Sequence, residues 1–469
     1  MTLTAIEQLA KELNALKSGA IGGPQLKQAS LLLLDTVGCA IAGQQDRGAL
    51  AVVSVTKTWG GAPDCQLIGF PHRTTAANAI LANGALCRAL DLNDYVFRVE
   101  ESQTRLGGHP SDNIPVALAF GDLARRSGRA LLEAIVVGYE VFGRAKAFAR
   151  DAGEWDGVSY SGLVAPAIAA RLLNLSERQT ADALSLSVAR CATSAMVRTG
   201  HIGTAKSISN ALVARSGAEA TLLAAAGVSG PLGVIDHERG MRSLFSNAEA
   251  LEALRQPFDN PSYIMNARIK PHPCVGTAQC GVEAAIRLHR RLGGELADVD
   301  SILVEMGDHP TVARHLADTA RANPRSREAA DHSIPFLLAV ALLDGELGMR
   351  QFANQRWNDP HVRALMGRIR TRTTETLRLK APENFACRLT VVTRGAEHSE
   401  EVLAPPGWAR DGIVEDGVVA KFNRVTKDLL TERSRLEVTR AALDLASAPT
   451  LDEFSAALAG AQAVDVKSS

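Results

Sequence analysis

The sequence predicts a mostly helical protein, in which one large all-helical domain is formed by both chain ends and a smaller α+β lid domain is inserted between them. Three observations predict it. Apolar residues recur at helical spacing through the first half of the chain, the pattern changes character after Asn260-Pro261, and helical spacing returns after Ala404-Pro405-Pro406-Gly407. The boundaries read from these changes are 1–266 for the first part of the helical domain, 267–404 for the lid and 405–469 for the helical return. The last stretch is too short to bury a separate core well, so it is expected to pack back on the first.

Taken in order, Ile6, Leu9, Leu13 and Leu16 mark a first helix, and Leu26, Leu31 to Leu34, Val37 and Ile41 a second over Gln25 to Ala42. Further helical patterns cover Ala76 to Leu90, Val116 to Arg126, Ala130 to Arg150, Gly162 to Leu173, Arg178 to Ser187 and Ile208 to Ala226. Gly227 is placed to end the last of these as a C-terminal cap. No period-2 strand stands out before about residue 265. Beyond it, Ser301 to Met306, Thr376 to Leu379, Arg388 to Thr393 and His398 to Leu403 read as strands of a small antiparallel sheet, the last two joined as a hairpin at Arg394-Gly395. Helices are expected between them at Thr277 to Leu292, Asp331 to Leu343 and Asp359 to Met366. The return comprises Ile413 to Leu430, Ser434 to Leu445 and Leu451 to Leu458, after which Ala463 to Ser469 lacks a pattern and is expected to fray.

Composition excludes several classes of function. Lys plus Arg and Asp plus Glu both number 51, so no global field steers the molecule toward nucleic acid or an acidic membrane. An anionic substrate then needs a local cluster of basic groups. Seven scattered cysteines without C-x-x-C spacing fit a reducing cytoplasm rather than a disulfide framework or an iron–sulfur site. The start of the chain lacks the continuous apolar stretch of a signal peptide, and no run of ~18 apolar residues is apparent, so a cytoplasmic, soluble chain is expected. Nucleotide-binding glycine motifs, G-x-S-x-G and closely spaced histidine pairs are missing from the sequence, so neither a cofactor nor a metal is expected.

Four stretches carry chemistry. Asp91 and Asp94 stand three apart and share a face, so they can hold a histidine in one tautomer or take a proton. His109 follows Gly107-Gly108 and precedes Pro110, an extended residue just before a helix that Ser111, Asp112 or Asn113 would cap. That junction reads either as ordinary capping beside a solvated histidine or as an anion-binding helix start with a histidine beside it. Lys206 opens an Ala-rich helix destined for burial, where an ammonium is costly unless it binds an anion; snorkelling to solvent is the alternative. Lys270 and His272 sit on a proline-stiffened loop at the domain junction, which is either a binding loop or a stiff linker. Asp331-His332-Ser333 reads most simply as a helix N-cap.

These pieces, together with Ile334-Pro335, Ala341 to Gly345 and Ala420-Lys421-Phe422, occur in an order and spacing that resembles the MmgE/PrpD family, over about residues 5 to 460. The family includes 2-methylcitrate dehydratase and cis-aconitate decarboxylase, with relatives that epimerise iminodisuccinate. The resemblance implies a cofactor-independent enzyme, a homodimer with its site between the two domains, acting on a small polycarboxylate. By similarity the site contains Asp91, Asp94, His109, Lys206, Lys270 and His272, and Gly108 to Asn113 is more similar to the dehydratase branch. Two departures stand out. Where decarboxylase-like members carry a histidine this chain reads Trp155 to Tyr160, so that Asp156 or Tyr160 must serve, and Phe336 stands where they have a tyrosine.

The expected reaction is loss of water from a β-hydroxy polycarboxylate, which needs a positioned base, cations for the developing enediolate and an acid for the leaving oxygen. His109, held by Asp91 or Asp94, takes the acid/base role. Lys206 and Lys270 clamp carboxylates with Ser111 and His272 among the binding residues, and Tyr160 or His272 supplies the second proton. Epimerisation shares the first half of this scheme, decarboxylation is a related alternative, and an inactive helical scaffold is the non-enzyme reading.

Overall fold

The computed structural model describes residues 3–461 apart from 101–102, 107, 148–154, 242–247, 294–298, 395 and 409–412. Gly107, Gly395 and the Ala463 to Ser469 tail therefore lie outside the described residues. The first half folds into α1 (Ala5–Ala15), α2 (Gly23–Gly43), α3 (Arg47–Trp59), α4 (Ala76–Arg88) and α5 (Ile114–Leu123). It continues with α6 (Gly128–Ala147), α7 (Ser161–Leu173), α8 (Glu177–Val188), α9 (Ala205–Ala225) and α10 (Ala248–Arg255). Local signals fix the ends: Thr4 and Glu7 close a capping box on α1, Ser176 and Gln179 another on α8, and Gly227 follows α9 at φ 95.

Helix α2 carries the centre of this layer. Its Leu31 to Leu34, Val37 and Ile41 are buried, and it packs against α4, α6 and two helices of the C-terminal return. Glycine permits the approach: a Cβ on Gly43 would stand 2.2 Å from the Leu86 carbonyl oxygen of α4, and one on Gly84 2.7 Å from Ala211 of α9. By length and composition α2 could cross a membrane, although Ser30, Asp35 and Thr36 interrupt its apolar residues. Its apolar window is 94% buried inside the fold, where a core helix meets the same test. Helix α3 was not announced by periodicity, since it buries only Ala49, Val53 and Thr56.

Strands appear where none was expected. β1 (Cys65–Gln66) pairs with β2 (Arg73–Thr74), and β3 (Tyr95–Glu100) lies between β4 (Gln103–Leu106) and β5 (Ala267–Arg268), all antiparallel. β1, β2 and β5 have two residues each, too few for alternation to register, and the apolar run Tyr95-Val96-Phe97 that opens β3 does not alternate. After them come α11 (Gln279–Leu292), β6 (Val299–Gly307), α12 (Pro310–Ala317), α13 (Thr319–Ala322), α14 (Arg327–Ala330), α15 (Ile334–Asp344) and α16 (Pro360–Gly367). Then follow β7 (Ile369–Thr374), α17 (Glu375–Lys380), β8 (Cys387–Thr393) and β9 (Ala396–Val402).

The sheet runs β7-β6-β8-β9 and is mixed rather than antiparallel, because β7 lies parallel to β6. The strand expected at Thr376 to Leu379 is helix α17. The true strand, Ile369–Thr374, is an edge strand with one buried residue, so nothing in its Ile-Arg-Thr-Arg-Thr-Thr sequence alternates. The β8–β9 hairpin forms with Thr393 opposite Ala396.

Buried apolar side chains form two main clusters. One draws on Ile6 to Ile269 and on Val418 to Ala461, and the other on Cys274 to Trp408. The return comprises α18 (Glu415–Thr426), α19 (Glu432–Leu443) and α20 (Asp452–Gly460), all packed on the first cluster. Helix α18 also reaches the loops that carry polar groups. Lys421 pairs with Asp35 of α2 at 2.6 Å and donates to the Leu92 carbonyl at 2.8 Å, while Arg424 donates to the Pro271 carbonyl at 2.6 Å.

Candidate active site

The loop after α4 turns at Asp91, whose φ of 49 is left-handed and costs a non-glycine residue roughly 1–2 kcal/mol. Its carboxylate is buried among cations that fix it. Arg88 Nη1 lies 2.6 Å and Lys270 Nζ 2.6 Å from Oδ1, Lys206 Nζ lies 3.1 Å from Oδ2, and Lys270 also donates to the Asp91 carbonyl at 2.9 Å. Burial alone would raise the Asp91 pKa; Arg88, Lys206 and Lys270 outweigh it and hold the carboxyl well below its ordinary range. Burial likewise draws both lysines below the usual ammonium value, against the opposing pull of Asp91.

Asp331 and His332 close the cluster from the second core. They bond to one another through Oδ1 and Nδ1, Lys206 lies 3.6 Å from Asp331, and His332 Nε2 stands 3.5 Å from Asp91 Oδ2. Asp91, Asp331 and His332 bring three potential ligand atoms within 4.8 Å of one another. The donor set suits a metal poorly, because the two carboxylates already share the Lys206 ammonium and Asp91 pairs with Arg88 and Lys270 as well. Burial, helped by Lys206, takes His332 down to about 4.

Asp94 belongs to a second polar group. Ser111 Oγ donates to its Oδ1 at 2.5 Å and Tyr139 to its Oδ2 at 2.7 Å, yet burial lifts the carboxyl to about 7. His109 Nδ1 stands 2.5 Å from the Asp94 main-chain oxygen. A carbonyl only accepts, so Nδ1 carries the proton and Nε2 the lone pair. The histidine is thus held by the backbone of Asp94, whereas the sequence suggested a carboxylate of Asp91 or Asp94. Both carboxylates are already engaged. Burial, reinforced by Arg88 and Lys270, keeps the His109 pKa well below its ordinary value and the ring neutral. Tyr95 meets its edge with centroids 5.3 Å apart.

The expected helix caps serve this network instead. Ser111 bonds Asp94 and accepts from Asn93 at 2.8 Å, and Asp112 accepts from Asn93 at 2.7 Å with Arg88 Nε 3.6 Å away. Asn113 occupies the N-cap of α5 but donates to Ser161 at 3.0 Å. Ser333 alone of the suggested caps acts as one, accepting from Phe336 N.

A cavity of about 460 Å³ opens beside these groups, lined by His109, Asp91, Lys270, Tyr160, Asp156 and His332 among others. His109, Lys270 and Tyr160 therefore face one space. Lys206, Asp94 and Ser111 lie behind its wall and hold the groups that form it. His272 does not line the cavity: it turns to Glu283 of α11, 3.2 Å away, and Gln279 fixes its backbone on both sides. Asp156 caps a short turn at Gly157–Tyr160 and pairs with Arg198 at 2.7 Å. Phe336 packs against Phe352 and Trp357 in the second core, so that departure acts on packing and not on the cavity.

Sequence reasoning passed over Arg88, Tyr139, Arg198, Arg314, Arg321 and His315. Arg88 left a signal, being the one charged residue of a helix buried from Ala79 to its end. The others lie on separate elements, and nothing local brings them together.

The MmgE/PrpD N-terminal domain matches residues 7–254 and the MmgE/PrpD C-terminal domain residues 272–445. The cis-aconitate decarboxylase-like protein oryM of Aspergillus oryzae is 22% identical over 97% of both chains. The 2-methylcitrate dehydratase of Cupriavidus necator is 26% identical over 79% of each. The cis-aconitate decarboxylase of Homo sapiens is 24% identical over 79% of this chain and 76% of its own. Because the two domain matches together span most of its length, the chain belongs to the MmgE/PrpD family.

Proposed function

We propose that this chain is a cofactor-independent hydro-lyase that removes water from a small β-hydroxy polycarboxylate such as 2-methylcitrate. The observation that carries the reading is His109: a neutral imidazole, its Nδ1 proton committed to a carbonyl, in the wall of a cavity shared with Lys270. Nε2 takes the proton from the carbon next to a carboxylate, the C–H electron pair moves onto that carboxylate as an enediolate, and it returns to form the carbon–carbon double bond as the C–O bond breaks. The departing hydroxyl takes a proton from Tyr160 and leaves as water; the proton on His109 then returns to Tyr160 through solvent. Lys270 spends two of its three N–H donors on Asp91, which leaves one for the enediolate.

Residues 267–404 act as a lid in this reading, supported by Lys270 and His332 meeting His109 around one space. The reading also takes the enzyme as a cytoplasmic homodimer; seven buried free cysteines support a reducing compartment. The test is a turnover screen of methylcitrate, citrate, cis-aconitate and iminodisuccinate in D2O. Water elimination with deuterium exchange at the reacting carbon supports the proposal. Release of CO2 from cis-aconitate alone would replace it with decarboxylation, and inversion of iminodisuccinate alone with epimerisation.

A further inference from the structure

The cavity wall carries more positive charge than the proposed chemistry uses. Arg88, Lys146, Arg198, Lys270, Arg314 and Arg321 line it, opposed by Asp91, Asp112 and Asp156. Arg88 is held by Asp91, Asn93 and Asp112, and Lys270 is held by Asp91 with its remaining donor assigned to the enediolate. Three arginines from separate elements are arranged differently. Arg198 ends a short turn at Ala195–Arg198, Arg314 lies on α12 and Arg321 on α13, so the first comes from the helical side and the others from residues that follow β6.

Two of them are held in the same manner. Asp156 Oδ2 accepts from Arg198 Nε at 2.7 Å, and Asp318 Oδ2 accepts from Arg321 Nε at 3.1 Å. Asp156 is itself fixed, its Oδ1 accepting from Val158 N at 3.1 Å and its own N–H donating to the Thr193 carbonyl at 2.7 Å. In each pair the aspartate takes the inner N–H and leaves the terminal nitrogens. Arg321 is buried, 9% exposed, and its Nη1 has no hydrogen-bond partner among the described residues. A guanidinium N–H kept from water without an acceptor is unfavourable unless a ligand supplies one. Burial and the nearby charge of Arg198 both weaken the hold of Arg321 on its proton, so an anion between them is favoured. Arg314 Nη2 donates to Thr311 at 3.2 Å at the exposed rim.

We propose that Arg198, Arg314 and Arg321 form a second carboxylate subsite of this cavity, which receives the substrate carboxylate remote from the carbon that His109 deprotonates. The planar forks suit a carboxylate, which two parallel N–H groups bind in one orientation. Since the subsite belongs to both sides of the cavity, occupation links α13 to the turn that carries Arg198. The inference rests on the polycarboxylate reading above, but its test does not require turnover.

The experiment is calorimetric titration of the full chain with tricarballylate, a tricarboxylate without a hydroxyl that can leave. Wild type, Arg321→Gln, Arg321→Lys and Arg314→Gln are compared, with the melting temperature of each recorded. The subsite predicts that wild type binds, that Arg321→Gln weakens binding about tenfold or more, and that Arg321→Lys recovers part of the loss. Arg314→Gln, at an exposed position, should weaken binding without lowering the melting temperature, and so carries the test if Arg321→Gln misfolds. On any substrate that turns over, both variants raise KM more than they lower kcat. Binding that is undetectable in wild type, or unchanged within about twofold in the folded glutamine variants, overturns the subsite. Loss of binding in those variants together with a failed turnover screen would sustain the subsite and refute the dehydration.

Discussion

Replacing Lys270 by Met separates the charge of that residue from its bulk. Lys270 is fully buried, with its ammonium 2.6 Å from Asp91 Oδ1 and 2.9 Å from the Asp91 carbonyl. At an effective dielectric near ~20, the pair at that separation is worth about 6 kcal/mol of attraction, most of it offset by the desolvation of both ions. Removing one partner leaves Asp91 buried with one fewer cation, which typically costs about 3–5 kcal/mol; Met preserves most of the packing. Arg88 and Lys206 remain on Asp91, so the lower end of that range is expected. The same change removes a donor from the cavity and should lower kcat/KM about 10- to 150-fold, as for a charge-assisted contact of about 1.5–3 kcal/mol. Urea denaturation measures the first effect and steady-state kinetics the second. A Lys270→Met protein within about 1 kcal/mol of wild type would refute the idea that Asp91 depends on this lysine. Unchanged kcat/KM would return Lys270 to a structural role.

His109→Ala should abolish turnover, by a factor of about 10² to 10⁴, while circular dichroism and melting stay near wild type; an unchanged kcat removes His109 from the mechanism. Asp94, lifted to about 7 by burial, binds a proton in the folded state that it lacks in the unfolded state above about pH 4. Its contribution to stability is complete below the unfolded value and is lost as pH rises through 7, with a slope up to about 1.4 kcal/mol per pH unit. Asp94→Asn should flatten stability between pH 5 and 7, and a slope identical to wild type would contradict the assignment. Lys421→Met should cost about 3–5 kcal/mol by leaving Asp35 buried without its partner, and adding Asp35→Leu should recover most of it; strictly additive losses would argue against the pair. Prolonged chelation is expected to leave activity intact, and activity lost to chelation and restored by one specific divalent ion would overturn that expectation.

Much of this arrangement could be read from sequence wherever a residue was costly in its local setting. Lys206 in an Ala-rich helix asked for an anionic partner and meets Asp91; Lys270, read from its stiff loop as a clamp for a substrate carboxylate or a linker residue, meets the same Asp91. Most of the longer helices announced themselves through periodic stretches, α3 excepted. Where several local explanations sufficed, the wrong one was easily preferred. Ser111 and Asp112 have the composition of helix caps, yet a buried network with Asn93, Asp94 and Arg88 takes them, because that burial leaves polar groups few other partners. His272 stands close to Lys270 in sequence but bonds Glu283 and stays out of the cavity. Arg198, Arg314 and Arg321 are ordinary arginines on short elements, and only the tertiary fold gives them a common space. Strand β7 escaped because an edge strand can remain mostly exposed and needs no alternation.

The reach of α18 into the loops at Leu92 and Pro271 has a consequence for the order in which the protein matures. A ribosome delivers Asp91, His109 and Lys270 well before Lys421 and Arg424 exist, and at ~5–20 residues per second the interval is on the order of ten seconds. During it the nascent chain holds the groups that surround the cavity but lacks the two side chains that tie their loops to the helical core. Asp35 waits longer still, a carboxylate on an apolar helix without its cation. The C-terminal return thus works as a latch on loops whose residues were made much earlier.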